Sequence, residues 1–102
     1  MPLQPSLWNA QEYRKEHPDS GPRIIDPVLL PNLQELMEVK IRSNGEYFKV
    51  RVDQLDDNKI IGTVVTEVYP EMPQPFKQYD VIEFYTENIV DIVDIPKVGI
   101  IL

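Results

Sequence analysis

A chain of 102 residues, 42% hydrophobic and 26% charged, carries enough apolar surface for one modest core and has the composition of an ordinary globular domain. The absence of cysteine excludes a disulfide framework and thiol catalysis, and it fits a reducing cytoplasm. A formal net charge of −7 weighs against general nucleic-acid binding, because neutralisation of phosphates by Lys and Arg supplies much of that affinity. The longest apolar runs span only a few residues, and the first residues lack a basic segment followed by an apolar one. The expectation is a cytoplasmic protein with no signal peptide and no membrane span.

In chain order, residues 6–17 predict a short helix, with Ser6 or Asn9 as N-cap, Glu12 placed as in a capping box after Asn9, and Pro18 as a stop. Trp8 and Tyr13 are not at a spacing of three or four, so this helix buries a narrow stripe and either docks through Trp8 or is not well ordered. His17, the only histidine, has no nucleophile or second ligand beside it and reads as an exposed helix-end residue. Residues 18–31 contain Pro18, Pro22, Pro27 and Pro31, which bar a continuous helix or a central strand. An extended segment is expected there, with a short edge strand near Ile24 to Leu30 and one helical turn over residues 32–35. Residues 1–34 thus form an N-terminal helix and proline-rich segment, and residues 35–102 the β core of a single domain.

That core starts with a hairpin whose register can be derived. Asn44-Gly45 suits a two-residue type I′ turn, because both central positions need positive φ. The turn then sets Ile41 opposite Phe48, Val39 opposite Val50 and Met37 opposite Val52, all apolar. Between them fall Arg42 with Tyr47, Lys40 with Lys49 and Glu38 with Arg51. Alternation with period two and turn register therefore agree on the buried face. Lys40 against Lys49 is the one unfavourable pair, relieved if the two long side chains splay apart.

Residues 56–59 are a turn by composition, leading to a third strand over residues 60–69 that is rich in β-branched residues. Its alternation is ambiguous, so either both faces are partly covered or Gly62 marks a bulge. Residues 70–78 read as a stiff proline loop anchored by Phe76, and residues 79–84 as a fourth strand facing the core through Ile82 and Phe84. Residues 89–93 predict a fifth strand, alone or after one helical turn, and residues 97–102 a last edge strand. Short strands joined by tight turns, with no long helix between them, predict a mainly β fold, a small antiparallel SH3-like barrel with one short N-terminal helix. The expected core contains Met37, Val39, Ile41, Phe48, Val50, Val52, Val64, Ile82, Phe84 and Ile89.

Within this pattern, residues 47–52 (YFKVRV), 59–64 (KIIGTV), 76–84 (FKQYDVIEF) and 89–92 (IVDI) resemble a family of small uncharacterised bacterial proteins, a domain of unknown function. That family has an aromatic-valine-x-valine strand, an inner strand with a glycine, a glycine-aspartate before a V-x-F strand, and an isoleucine-aspartate ending. The resemblance covers about half the chain, implies a small β-barrel, and transfers no catalytic residues. Tyr79 stands where the pattern has glycine, so the turn before the fourth strand is expected to differ.

The chemical inventory is thin. No serine or threonine is placed to pair with His17, the glycines do not cluster into a phosphate loop, and Asp53, Asp56, Asp57 and Asn58 lack the calcium-loop pattern. Asp91 and Asp94 would serve as general acid and base only inside a pocket. The reading is accordingly a non-enzymatic binding or accessory protein without metal or cofactor. Charge is polarised: Lys40, Arg42, Lys49 and Arg51 share the outward face of the hairpin, while Asp80, Glu83, Glu87, Asp91 and Asp94 form an acidic run.

Two uses of this surface compete. In the first, a protein partner is engaged by the tyrosines Tyr47, Tyr69, Tyr79 and Tyr85 or by an open sheet edge. In the second, Lys40, Arg42, Lys49 and Arg51 with Tyr47 bind nucleic acid, which the overall charge opposes. A variant of the first has the acidic run inhibit a nucleic-acid-binding protein. A protein partner is the favoured expectation.

Overall fold

The computed structural model describes residues 2–18, 23–66 and 74–94. Tyr69, residues 70–73 of the proline loop and the proposed edge strand at residues 97–102 lie outside these residues. Helix α1 spans Ala10–Glu16, and strands β1 to β5 span Glu38–Ser43, Glu46–Asp56, Lys59–Val64, Val81–Tyr85 and Asp91–Asp94. All strand pairs are antiparallel, in the order β4-β3-β2-β1-β5, so the fold is mainly β with one short helix, as expected.

The first hairpin forms in the derived register, from Ser43 opposite Glu46 through Glu38 opposite Arg51, and the Val52 amide donates to the Met37 carbonyl at 2.8 Å. Asn44 and Gly45 both take positive φ, 49° and 81°. All ten expected core residues are buried, joined by Ile25, Leu33, Ile60 and Phe76. Phe76 anchors its loop by meeting Phe48 edge-on, with ring centroids 5.0 Å apart.

The ambiguity of the third strand is resolved by its partner. β3 alternates strictly, with Ile60, Gly62 and Val64 inward, and the extra residue that shifts the register is Asp53 on β2, between the Val52–Gly62 and Gln54–Ile61 pairs. Gly62 is not itself the bulge. It is the residue over which β2 bends: a Cβ there would stand 2.6 Å from both the Arg51 carbonyl oxygen and Val50 Cγ1.

The segment before the hairpin departs from expectation. Instead of an edge strand near Ile24 to Leu30, a 3-10 helix covers Pro27–Asn32. Asp26 caps it through its carboxylate, which accepts from the Val28 amide at 3.0 Å, and Pro27 occupies a first-turn position where no amide is required. β5 follows a single 3-10 turn at Thr86–Asn88, in line with the second of the two forms expected for it.

Among the described residues β4 and β5 do not pair with each other, so strand pairing does not close the sheet into a barrel. The N-terminal arm spans the gap instead. Leu3 bridges β4 in parallel, donating to the Val81 carbonyl and accepting from the Glu83 amide, and five residues later the Trp8 amide donates to the Arg42 carbonyl of β1. Residues 3–8 thus run from one side of the sheet to the other, fixed further by Gln4 to Glu83 and Asn9 to Glu87 hydrogen bonds.

Tyr79 adopts φ 72° with its side chain 72% exposed. The turn before β4 therefore holds the left-handed backbone that glycine takes without strain, and the tyrosine carries the steric cost. Tyr79→Gly is expected to hold or raise stability, by up to about 1 kcal/mol after the added freedom of the unfolded chain, whereas Tyr79→Ala gains nothing. Urea melts of the two variants check this. A loss above about 1 kcal/mol in the glycine variant would show that the tyrosine ring holds the turn.

Candidate functional site

β1 and β2 project Lys40, Arg42, Tyr47, Lys49 and Arg51 from the same face, because each alternates with a buried neighbour. The cross-strand pairs Arg42–Tyr47 and Lys40–Lys49 put four of these side chains in one block. Tyr47 is its centre: the Lys40 ammonium lies 5.5 Å and the Arg42 guanidinium 5.4 Å from the ring centroid. Leaning over this ring takes Lys40 toward Tyr47, and Asp91 stands across from Lys40 on β5, so the repulsion expected between Lys40 and Lys49 is offset.

The block is extended by a residue the sequence reading left out of it. The Arg42 guanidinium also lies 4.9 Å from the Trp8 ring centroid, placing it in contact with both Trp8 and Tyr47. Trp8 is held by its backbone amide, which donates to the Arg42 carbonyl, and by Asn88, whose side-chain amide donates to the Trp8 carbonyl. It also packs at 5.0 Å on Tyr13, which stacks at 4.2 Å on His17. Counting from N-cap Asn9, whose side chain accepts from the Glu12 amide, Trp8 precedes the cap and Tyr13 is the fourth helical residue. That is a hydrophobic staple, and its spacing of five is the signal that was present in the sequence.

The result is a continuous series of contacts, Lys40, Tyr47, Arg42, Trp8, Tyr13 and His17, running from the sheet onto α1. Of the other expected site residues, Lys49 is exposed on the same face, with no ion pair among the described residues. Arg51 turns away from the block: its guanidinium meets Asp53 at 3.0 Å, and Asp53 in turn accepts from the Thr63 hydroxyl at 2.6 Å. Arg51 thereby braces the bulge. Tyr79 and Tyr85 lie at opposite ends of β4, remote in the strand order from Tyr47, so the described tyrosines do not gather into one patch. Tyr69 lies outside the described residues.

Among the described residues no three His, Asp or Glu side chains stand close enough to hold a metal ion, and no helix is long and apolar enough to cross a membrane. Compared with protein-family models, with curated proteins and with solved structures, the chain matches none.

Proposed function

We propose that this chain is a small cytoplasmic protein-interaction module, built as an SH3-like barrel of the kind its strands resemble, which engages its partner through the Lys40–Tyr47–Arg42–Trp8 block. The architectural part is supported by the β4-β3-β2-β1-β5 order, the bent second strand and the 3-10 turn before the last described strand. The functional part rests on a single observation, the position of Arg42 against both Trp8 and Tyr47.

A surface that binds single-stranded nucleic acid needs open aromatic faces on which bases stack. Here Arg42 and Lys40 already lie over those rings, and Asp53 pairs with Arg51, which leaves Lys49 as the open cation. What the block presents is the exposed Tyr47 ring beside half-buried Arg42 and Trp8, of the residue types that dominate binding energy at protein interfaces. The net charge of −7 points the same way.

The test is affinity capture from nuclease-treated lysate of the native host, comparing the unaltered chain with Tyr47→Ala and Lys49→Glu. A protein partner is expected, its recovery falling by about thirtyfold for Tyr47→Ala and less for Lys49→Glu, with little dependence on salt. Recovery of nucleic acid from untreated lysate, only at low salt and lost in Lys49→Glu, would overturn the reading in favour of a nucleic-acid surface.

A further inference from the structure

We infer that the apolar groove between residues 23–29 and β5 is a docking site for a segment of this same chain, residues 95–102 (IPKVGIIL), which lie outside the described residues. The site is separate from the Lys40–Tyr47–Arg42–Trp8 block and shares no residue with it. The groove has a volume of about 590 Å³ and a lining of Ile24, Ile25, Leu29, Met37 and Ile92. Leu29 on its rim is 47% exposed, so apolar surface is left there to bury.

The wall of the groove is preformed. Ile25 is bonded on both sides, its amide donating to the Val90 carbonyl at 2.7 Å and its carbonyl accepting from the side chain of buried Gln11 at 3.0 Å. Residues 23–29 are thereby fastened to the residue before β5 on one side and to α1 on the other, so little ordering of the wall remains to be done on docking.

Three observations select this occupant. The first is where the chain leaves the sheet. Asp91 and Ile92 line the groove, and Asp94 stands opposite Glu38, the neighbour of Met37, which lines it as well. Residues 95–102 therefore start beside the groove and span up to about 26 Å, while Pro96 lacks the amide needed to lengthen the β5 ladder. The second is composition: Ile95, Val98, Ile100, Ile101 and Leu102 are apolar, and Lys97 is the one charge of the segment. The third is the rim, where Arg14, Arg23, Asp26 and Asp91 balance one another. Such a rim favours neither an anion nor a cation, and what it offers is apolar burial. A free apolar molecule would use the same lining, but a segment tethered this closely has an effective concentration on the order of millimolar, which favours it over untethered competitors.

The chain has no cysteine, so introduced pairs report on docking without background. The full-length chain carrying Leu29→Cys and Ile100→Cys is air-oxidised beside a control carrying Lys77→Cys and Ile100→Cys, Lys77 being exposed in the turn before β4, at the far edge of the sheet from β5. A disulfide within one molecule is expected to form at least about tenfold faster in the first pair than in the control. Equal rates, no disulfide in either, or one formed only between molecules would overturn the assignment, the last giving the groove to a second copy. In the cysteine-free chain, Ile100→Lys with Ile101→Lys should shift the amides of Ile24, Ile25, Leu29 and Ile92 while those of Ile41 and Phe48 stay in place, which separates loss of docking from loss of the fold. Unchanged groove amides would overturn it as well.

Discussion

Phe48→Ala is expected to lower stability by about 3–5 kcal/mol, the largest effect foreseen for any single side chain here. Phe48 is 5% exposed on the inward face of β2 and meets Phe76 edge-on. Truncation removes the ring's transfer free energy and leaves a cavity between the sheet and the loop that Phe76 anchors. Against a total of about 5–15 kcal/mol for a domain of this size, that is a large share. Chemical denaturation checks it through the midpoint, with the slope unchanged. Phe76→Ala and the double variant should show a coupling of about 0.5–1.5 kcal/mol, as for other aromatic pairs. A loss below about 1 kcal/mol for Phe48→Ala would mean that the ring is not part of the core.

Gly62→Ala is the second large effect, and its cause is the reverse: too much matter where there is no room. One added methyl group meets the Arg51 carbonyl oxygen and Val50 Cγ1 at 2.6 Å, and the first of these is backbone that moves only if the β2–β3 ladder moves. A destabilisation of about 1–3 kcal/mol is expected, and Gly62→Val should exceed it. The φ of Gly62 does not enter, since the strain is one of contact. Equilibrium unfolding measures the loss, and amide exchange should locate it at Val52, Gly62 and Ile82. Unchanged stability in Gly62→Ala would show that β2 passes Gly62 at a greater distance than this.

What could be read from the sequence was whatever is encoded between near neighbours. Asn44-Gly45 fixed the register of the first hairpin, and the alternation on either side selected Val39, Ile41, Phe48, Val50 and Val52 for the core, because turn chemistry and side-chain period report on the same backbone. A bulge is one of the two readings of the third strand, placed at Gly62; the register shift does fall beside the Val52–Gly62 pair, but the extra residue, Asp53, is on β2. The 3-10 helix at Pro27–Asn32 was not legible because its prolines speak only against a continuous helix or a central strand, and neither forms among the described residues. A short helix that starts on Pro27 behind the Asp26 cap requires few amides, so the same prolines permit it. In the candidate site the sheet residues were legible from alternation. Trp8 was not, because its place beside Arg42 depends on contacts between residues more than thirty positions apart. Arg51 was read as a free cation, when its charge is used within two residues by Asp53.

The arm that carries Leu3 and Trp8 also sets the order in which the molecule is completed. β1 to β3 are joined by two-residue turns and β4 follows through residues 65–80, whereas Leu3 bonds to Val81 and Glu83, and Gln4 reaches Glu83 across a separation of 79 residues. Contacts of that span are slow to form and bring their reward after the chain between them is in place. During synthesis the arm leaves the ribosome ahead of its partners on β4, which follow several seconds later at about 5–20 residues per second. Residues translated well before β4 thus wait for it before they can dock.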